Sequence, residues 1–246
     1  MKIKNNTVFI TGGSSGLGLE MSKVFIQNGN KVIICGKSND KLLAAKNMLP
    51  QLITYQCDLS NSEQCTDLAK RIRENHPDLN VLINNAAIAN KFDFITEEKA
   101  LELAENEYNT NLIAPIRLIK LLYPTISSNE SAAIINITTG LIYAPRYVYS
   151  FYNSSKSALH SFTQTLRIRL KNEKTSVIEV MFPAVKTPWH KGTPPKIAIN
   201  ADVAVSEMIY GLEKGKTEIR VGGAKILCLI SRLSPSFALK KVNELQ

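Results

Sequence analysis

Seven short runs of β-branched and other apolar residues recur along the chain, over 7–10, 31–35, 53–56, 81–84, 132–137, 177–182 and 218–221, and helix-length stretches separate them. Several of the runs show almost no alternation of polar and apolar residues. A strand reads this way when helices cover both faces of its sheet, so that neither row of side chains meets water. Strands joined by whole helices run parallel, because a parallel pair needs a crossover of a dozen residues or more. Between the first two runs, Leu17, Met21, Val24, Phe25 and Ile26 recur at helical spacing and Asn28-Gly29 supplies a stop. The pattern predicts α/β with one crossover helix per interval: a doubly wound, mostly parallel, seven-stranded sheet flanked by helices. No linker, repeat or composition break divides it, so one domain is expected over 1–246.

Composition bounds the function classes. With 246 residues and 44% hydrophobic content there is enough apolar material for a large core. The 30 basic residues exceed the 21 acidic ones, a formal charge of +9 that favours an anionic partner such as nucleotide phosphate, nucleic acid or a membrane surface. No basic and aromatic interleaving supports nucleic acid. Cys35, Cys57, Cys65 and Cys228 form no CxxC pair, and the histidines are His76, His160 and His190, so no metal site is expected. The opening MKIKNNTVFITGG runs into a strand without room for an export signal. A cytoplasmic protein with free, packed thiols is expected.

The chemistry starts directly after the first strand, at TGGSSGLG. Gly12, Gly16 and Gly18 sit at a strand-to-helix turn, where glycine lets phosphate oxygens approach backbone N–H groups at the positive helix end. This turn marks the expected fold as Rossmann-type. The second strand ends in Cys35-Gly36-Lys37. An acidic residue there would accept from the ribose 2′-OH of NAD; Gly36 and the Lys37 cation instead leave room and charge for a 2′-phosphate, favouring NADP(H), with NAD as the alternative. Tyr152 and Lys156 stand one helical turn apart in YNSSKSALHSF, so phenol and ammonium share a face, and the cation is expected to lower the phenol pKa from about 10.

Together, TGxxxGxG, the strand-ending NNA and YxxxK, in that order on those elements, resemble the short-chain dehydrogenase/reductase family from Thr7 through Val221. Within it, NNTVFITGGSSGLGLE, NKVIICGKS and KTEIRVG resemble the DltE-like oxidoreductase subgroup. The resemblance implies hydride transfer between a nicotinamide and a carbonyl or secondary alcohol. Tyr152 would be the proton donor and Lys156 would hold the nicotinamide ribose. The family serine falls, thirteen residues before Tyr152, on Thr139, with Thr138 as the neighbour open to miscounting. Threonine keeps the hydroxyl but adds a methyl that restricts χ1. Asn111 matches the family's helix asparagine, with Asn109 as the competing position.

Cofactor contacts are implied for Thr11, Gly12, Ser14, Ser15, Gly16, Leu17 and Gly18 at the first turn, and for Gly36 and Lys37 after the second strand. Further contacts fall on Asp58 and Leu59, on Asn85, Ala86 and Ala87, on Tyr152 and Lys156, and on Pro183, Val185 and Thr187. Asp58 could instead cap the helix beginning near Ser60 or Asn61. Ala87 and Ala184 replace family glycines. With Thr139 they motivate a second reading, a cofactor-binding sensor or scaffold that has lost turnover. The substrate pocket is expected from 88–92, 140–148 and a lid over about 189–200, with Tyr143, Tyr147 and Trp189 lining it. A homodimer or homotetramer is expected. The basic, amphipathic segment 223–246 would pack on the fold or a subunit, with peripheral membrane contact as the alternative.

Overall fold

The computed structural model describes residues 1–190 and 192–244. Lys191, within the expected lid, and Leu245 and Gln246, at the end of the tail, lie outside the described residues. Seven strands form one wholly parallel sheet: β1 (Thr7–Thr11), β2 (Lys31–Gly36), β3 (Ile53–Gln56), β4 (Val81–Asn84), β5 (Ala133–Thr139), β6 (Ser176–Phe182) and, two short strands later, β9 (Glu218–Arg220). Their order is β3-β2-β1-β4-β5-β6-β9. The chain therefore winds outward in one direction from β1 to β3 and in the other from β4 to β9. Between β1 and β4 the crossovers leave the sheet to opposite sides, which opens a crevice at the C-terminal strand ends.

Helices α1 (Gly16–Gln27), α2 (Asn39–Met48) and, later in the chain, α7 (Ala201–Glu213) cover one face. Helices α3 (Ser62–Asn75), α5 (Ala114–Ser127) and α6 (Ser150–Arg169), with α4 (Ala100–Tyr108) beside them, cover the other. Each face holds its own apolar layer. Val8, Ile10, Val32 and Ile34 meet Met21 and Phe25 of α1, whereas Phe9, Ile33 and Leu82 meet Leu68, Ile72 and Leu118. This two-sided burial is why the strands read as unbroken apolar runs.

Two features differ from expectation, and the C-terminal segment packs on the fold as expected. Strand β7 (Val185–Lys186) pairs in parallel with β8 (Ile199–Asn200), so the end of the expected 189–200 loop is anchored to the strand before it. Two residues with ordinary polar neighbours give no periodic signal. Asn109–Ile113 forms a π-helical turn between α4 and α5. The segment after Gly222 is a helix pair, α8 (Gly223–Leu233) and α9 (Pro235–Glu244), packed on the fold through Ala224, Cys228, Ala238 and Val242. The four cysteines are free and buried.

Candidate active site

The glycine turn is built by close approach. Gly12 and Gly16 have φ of +64° and +53°, in the left-handed region that glycine adopts without a Cβ penalty. A Cβ on Gly18 would strike Gly12 O and come within 2.7 Å of Asn85 Nδ2. Ser15 is the N-cap of α1, and its side chain makes no capping hydrogen bond. Thr11 lies beneath the turn: its hydroxyl accepts from the backbone N–H of Asn85 (2.9 Å) and Ala86 (3.0 Å), while Asn85 Nδ2 donates to Thr11 O. The NNA stretch is thereby fastened to the end of β1. Ala87 and Ala184 carry no strain, because the only non-glycine residues of positive φ among those described are Asn5 and Ser131.

At the end of β2, Lys37 Nζ lies 2.6 Å from Asp58 Oδ2, with the lysine side chain 75% exposed. Burial pushes the Asp58 carboxyl upward, but hydrogen bonds from Lys37 and Ser60 outweigh it and hold the group below the usual carboxylate range. Asp58 is not the cap of α3; that place belongs to Asn61, whose side chain accepts from Glu63 and Gln64. Asp58 Oδ1 instead accepts from the Ser60 backbone and hydroxyl, which fixes it at the crevice rim.

Tyr152 and Lys156 face the crevice from α6. Lys156 is buried and its Nζ donates to Ile137 O at 2.8 Å. Burial pulls the ammonium down to about 8, with Glu179 opposing. Tyr152 departs from the expectation that the lysine lowers its pKa. Burial pushes the phenol up to about 12 against a hydrogen bond with Thr139, and Glu107 and Tyr149 reinforce the rise. Desolvation of a developing phenolate is the largest influence on this group. Thr139 is the hydroxyl beside the phenol, and its Oγ1 accepts from Leu141 N–H. Thr138 directs its hydroxyl onto Glu179 at 2.6 Å.

Asn111 is fully buried in the π turn, whereas Asn109 is exposed. The Asn111 amide clamps the Ile88 backbone, accepting from its N–H and donating to its carbonyl, and reaches Ser155 Oγ. It therefore ties the π turn and α6 to the loop after β4. Behind α6 lies a polar layer in an apolar setting. Asn84 donates to Asn136, Asn136 to Thr163, and Glu179 accepts from Thr138 and faces His160 Nδ1 at 2.8 Å. Such networks fix register because any shift leaves buried polar groups unpaired.

The glycine turn, Lys37, Asp58, Thr139, Tyr152 and Lys156 border one cavity of about 980 Å³. Gly12, Lys37, Asp58 and Asn85 line one part of it, and Tyr152, Lys156 and Thr187 another; Thr187 packs against Gly16. Thr11 and Ser14 support the turn from outside the lining, with Ser14 Oγ facing Gly36. The expected aromatic wall is corrected. Tyr143 accepts from Arg220 Nε and donates to Met181 Sδ, and Tyr147 is exposed. Tyr149 takes their place, its ring 5.9 Å from Trp189 and 6.4 Å from Tyr152. Its signal was available, because Tyr149 precedes Tyr152 by one helical turn. Ile226, Leu227, Ile230, Lys241 and Val242 also line the cavity, so the tail forms part of its wall. Among the described residues no group of three or more His, Cys, Asp or Glu could hold a metal ion.

The short chain dehydrogenase family model matches residues 6–197. The chain is 40% identical over 224 residues to the Bacillus subtilis (strain 168) protein called "Uncharacterized oxidoreductase DltE", covering 89% of each. Its fold is similar to that of a short chain dehydrogenase from Burkholderia cenocepacia J2315 in complex with NADP, with a TM-score of 0.86 at 23% identity, covering 98% of this chain and 99% of that one. A short chain dehydrogenase/reductase from Burkholderia phymatum in complex with NAD gives a TM-score of 0.83 at 18% identity, covering 100% and 98%. With the wholly parallel sheet, the glycine turn and the family match in agreement, the chain belongs to the short-chain dehydrogenase family of oxidoreductases.

Proposed function

We propose that the chain is one catalytic domain over 1–246 that interconverts a carbonyl compound and a secondary alcohol with NADP(H), NAD(H) being the weaker cofactor. The observation that carries this reading is that Tyr152, Lys156 and Thr139 line the same cavity as the glycine turn and Lys37. The cavity fits a dinucleotide: its volume is about 980 Å³, two glycines of positive φ line the turn, and a Cβ at Gly18 would displace the turn itself. Gly12, Ser15, Gly16 and Leu17 would hold the pyrophosphate, Lys37 the 2′-phosphate and Asp58 the adenine amino group. Pro183, Val185 and Thr187 would orient the nicotinamide ring. The B. cenocepacia relative's NADP and the B. phymatum relative's NAD support both cofactor classes.

When bound, the reduced nicotinamide would supply the hydride for the carbonyl carbon. Tyr152, with its pKa pushed up to about 12, keeps its proton at neutral pH and is poised to donate it to the carbonyl oxygen. Because Thr139 Oγ1 already accepts from Leu141 N–H, its own proton is directed outward, to the phenol or the substrate oxygen. Lys156 is pinned by one proton on Ile137 O, leaving two for the ribose hydroxyls. Asn111 holds the π turn beside α6, so that a backbone carbonyl there would position a water that relays protons to Lys156. The unstrained Ala87 and Ala184, and the retained hydroxyl of Thr139, support turnover over the sensor or scaffold reading. Part of the same reading is a homodimer or homotetramer, which light scattering measures.

NADPH oxidation over a panel of ketones, aldehydes and quinones tests the reading. Tyr152→Phe is expected to lower the rate by about 10² to 10⁴ while leaving NADPH binding intact. If NADPH binds but wild type and variant are equally inactive throughout, the scaffold reading replaces it.

A further inference from the structure

The helix pair α8–α9 buries its inner side on the fold but leaves an apolar outer side. Ile226, Leu229 and Leu233 recur at helical spacing on α8 and are 63%, 60% and 77% exposed, and Phe237 and Leu239 of α9 are about half exposed. Lys225, Arg232, Lys240 and Lys241 surround this stripe, against Glu244 as the one acidic group of the described pair. Lys225 is paired with Glu207 of α7, and Lys240 and Lys241 with Glu244, in exposed ion pairs that water already weakens. Ile226 stands on the rim of the cavity, and Lys241 lines it, so the same face carries the cavity's mouth.

We infer that the outer face of α8 and α9 docks on an anionic lipid bilayer. An amphipathic helix with cations flanking an exposed apolar stripe lies in the interface, its leucines and phenylalanine among the acyl chains and its lysines and arginine at the headgroups. A second copy is a poor occupant. A self-complementary two-fold contact would pair this patch with its own copy, and the described helix pair offers a single acidic group, Glu244, to set against its four cations. No described helix is long and apolar enough to cross a membrane, which confines the contact to the surface. Docking brings the cavity mouth to the lipid, giving entry to an apolar carbonyl compound dissolved in the bilayer. That consequence rests on the proposed function; the docking itself does not.

The full chain is sedimented with vesicles of phosphatidylcholine alone and of phosphatidylcholine mixed with phosphatidylglycerol. Binding is expected on the mixed vesicles and to weaken with salt. At about fivefold per cation, Arg232→Gln with Lys240→Gln lowers the partition coefficient about 25-fold. Leu229→Ser with Leu233→Ser is expected to lower binding on the same vesicles. Unchanged circular dichroism and NADPH affinity establish that both variants are folded. Equal sedimentation on the two vesicle types, or binding indifferent to both double variants, overturns the proposal. So does a serine variant that turns an oligomer into a monomer in light scattering while wild type ignores vesicles; the face is then a subunit contact. Oxidation of NADPH with a water-soluble ketone reads the catalytic proposal separately, so the failure of one is not the failure of the other.

Discussion

Lys37→Ala should change the choice between NADPH and NADH more than it changes dinucleotide binding in general. A phosphate monoester carries about −1.5 to −2 charge at neutral pH. In bulk water a unit pair at about 4 Å is worth about 1 kcal/mol, and Lys37, at 75% exposure, sits near that limit, so its interaction with a 2′-phosphate is worth about 2 kcal/mol. Its present partner, Asp58 at 2.6 Å, must be shared, and an exposed pair of this kind contributes about 0.2–1 kcal/mol. The net is about 1–2 kcal/mol, or about 5–30-fold in Kd. Titration of nicotinamide fluorescence with each reduced cofactor should show that loss for NADPH and less than about twofold for NADH, shrinking at high salt. Asp58→Asn removes the competitor and should raise the NADPH-to-NADH preference by about 1.5–5-fold, even if the lost adenine acceptor weakens both. Equal losses for both cofactors on Lys37→Ala would refute the assignment of the 2′-phosphate to this lysine.

Further outcomes follow from the same geometry. With its pKa pulled down to about 8, Lys156 loses its charge above that pH, so kcat/KM for carbonyl reduction should fall on an alkaline limb near 8; a profile flat to well above it would speak against the lysine's role. Glu179 raises the His160 pKa above 6.5, so the stability this pair contributes is fully present below 6.5 and lost as pH rises through the folded value. Thermal unfolding should therefore show a pH-dependent loss across that window in wild type that is absent in Glu179→Gln. Gly18→Ala forces a methyl onto Gly12 O; it should cost about 1–3 kcal/mol and lower Tm by about 2–10 °C, with weaker cofactor binding. An unchanged Tm would mean that the turn relaxes at no cost.

Apolar runs bounded by turn residues determined the parallel α/β architecture, because burial on both faces leaves no polar row to alternate. Spacing along a helix also determined that Tyr152 and Lys156 share a face, and alternation along a strand that Thr138 and Thr139 do not. These are local constraints, written within a few residues of one another. Only the tertiary structure decided where separate segments meet. It paired Lys37 with Asp58, brought the tail against Gly140 and the cavity, and chose Tyr149 over Tyr143 and Tyr147 for the aromatic wall. It also reversed the expected direction of the Tyr152 pKa. A cation four residues away is visible in a sequence, but the loss of water around a phenol depends on every element packed over it, and here that desolvation is the largest influence.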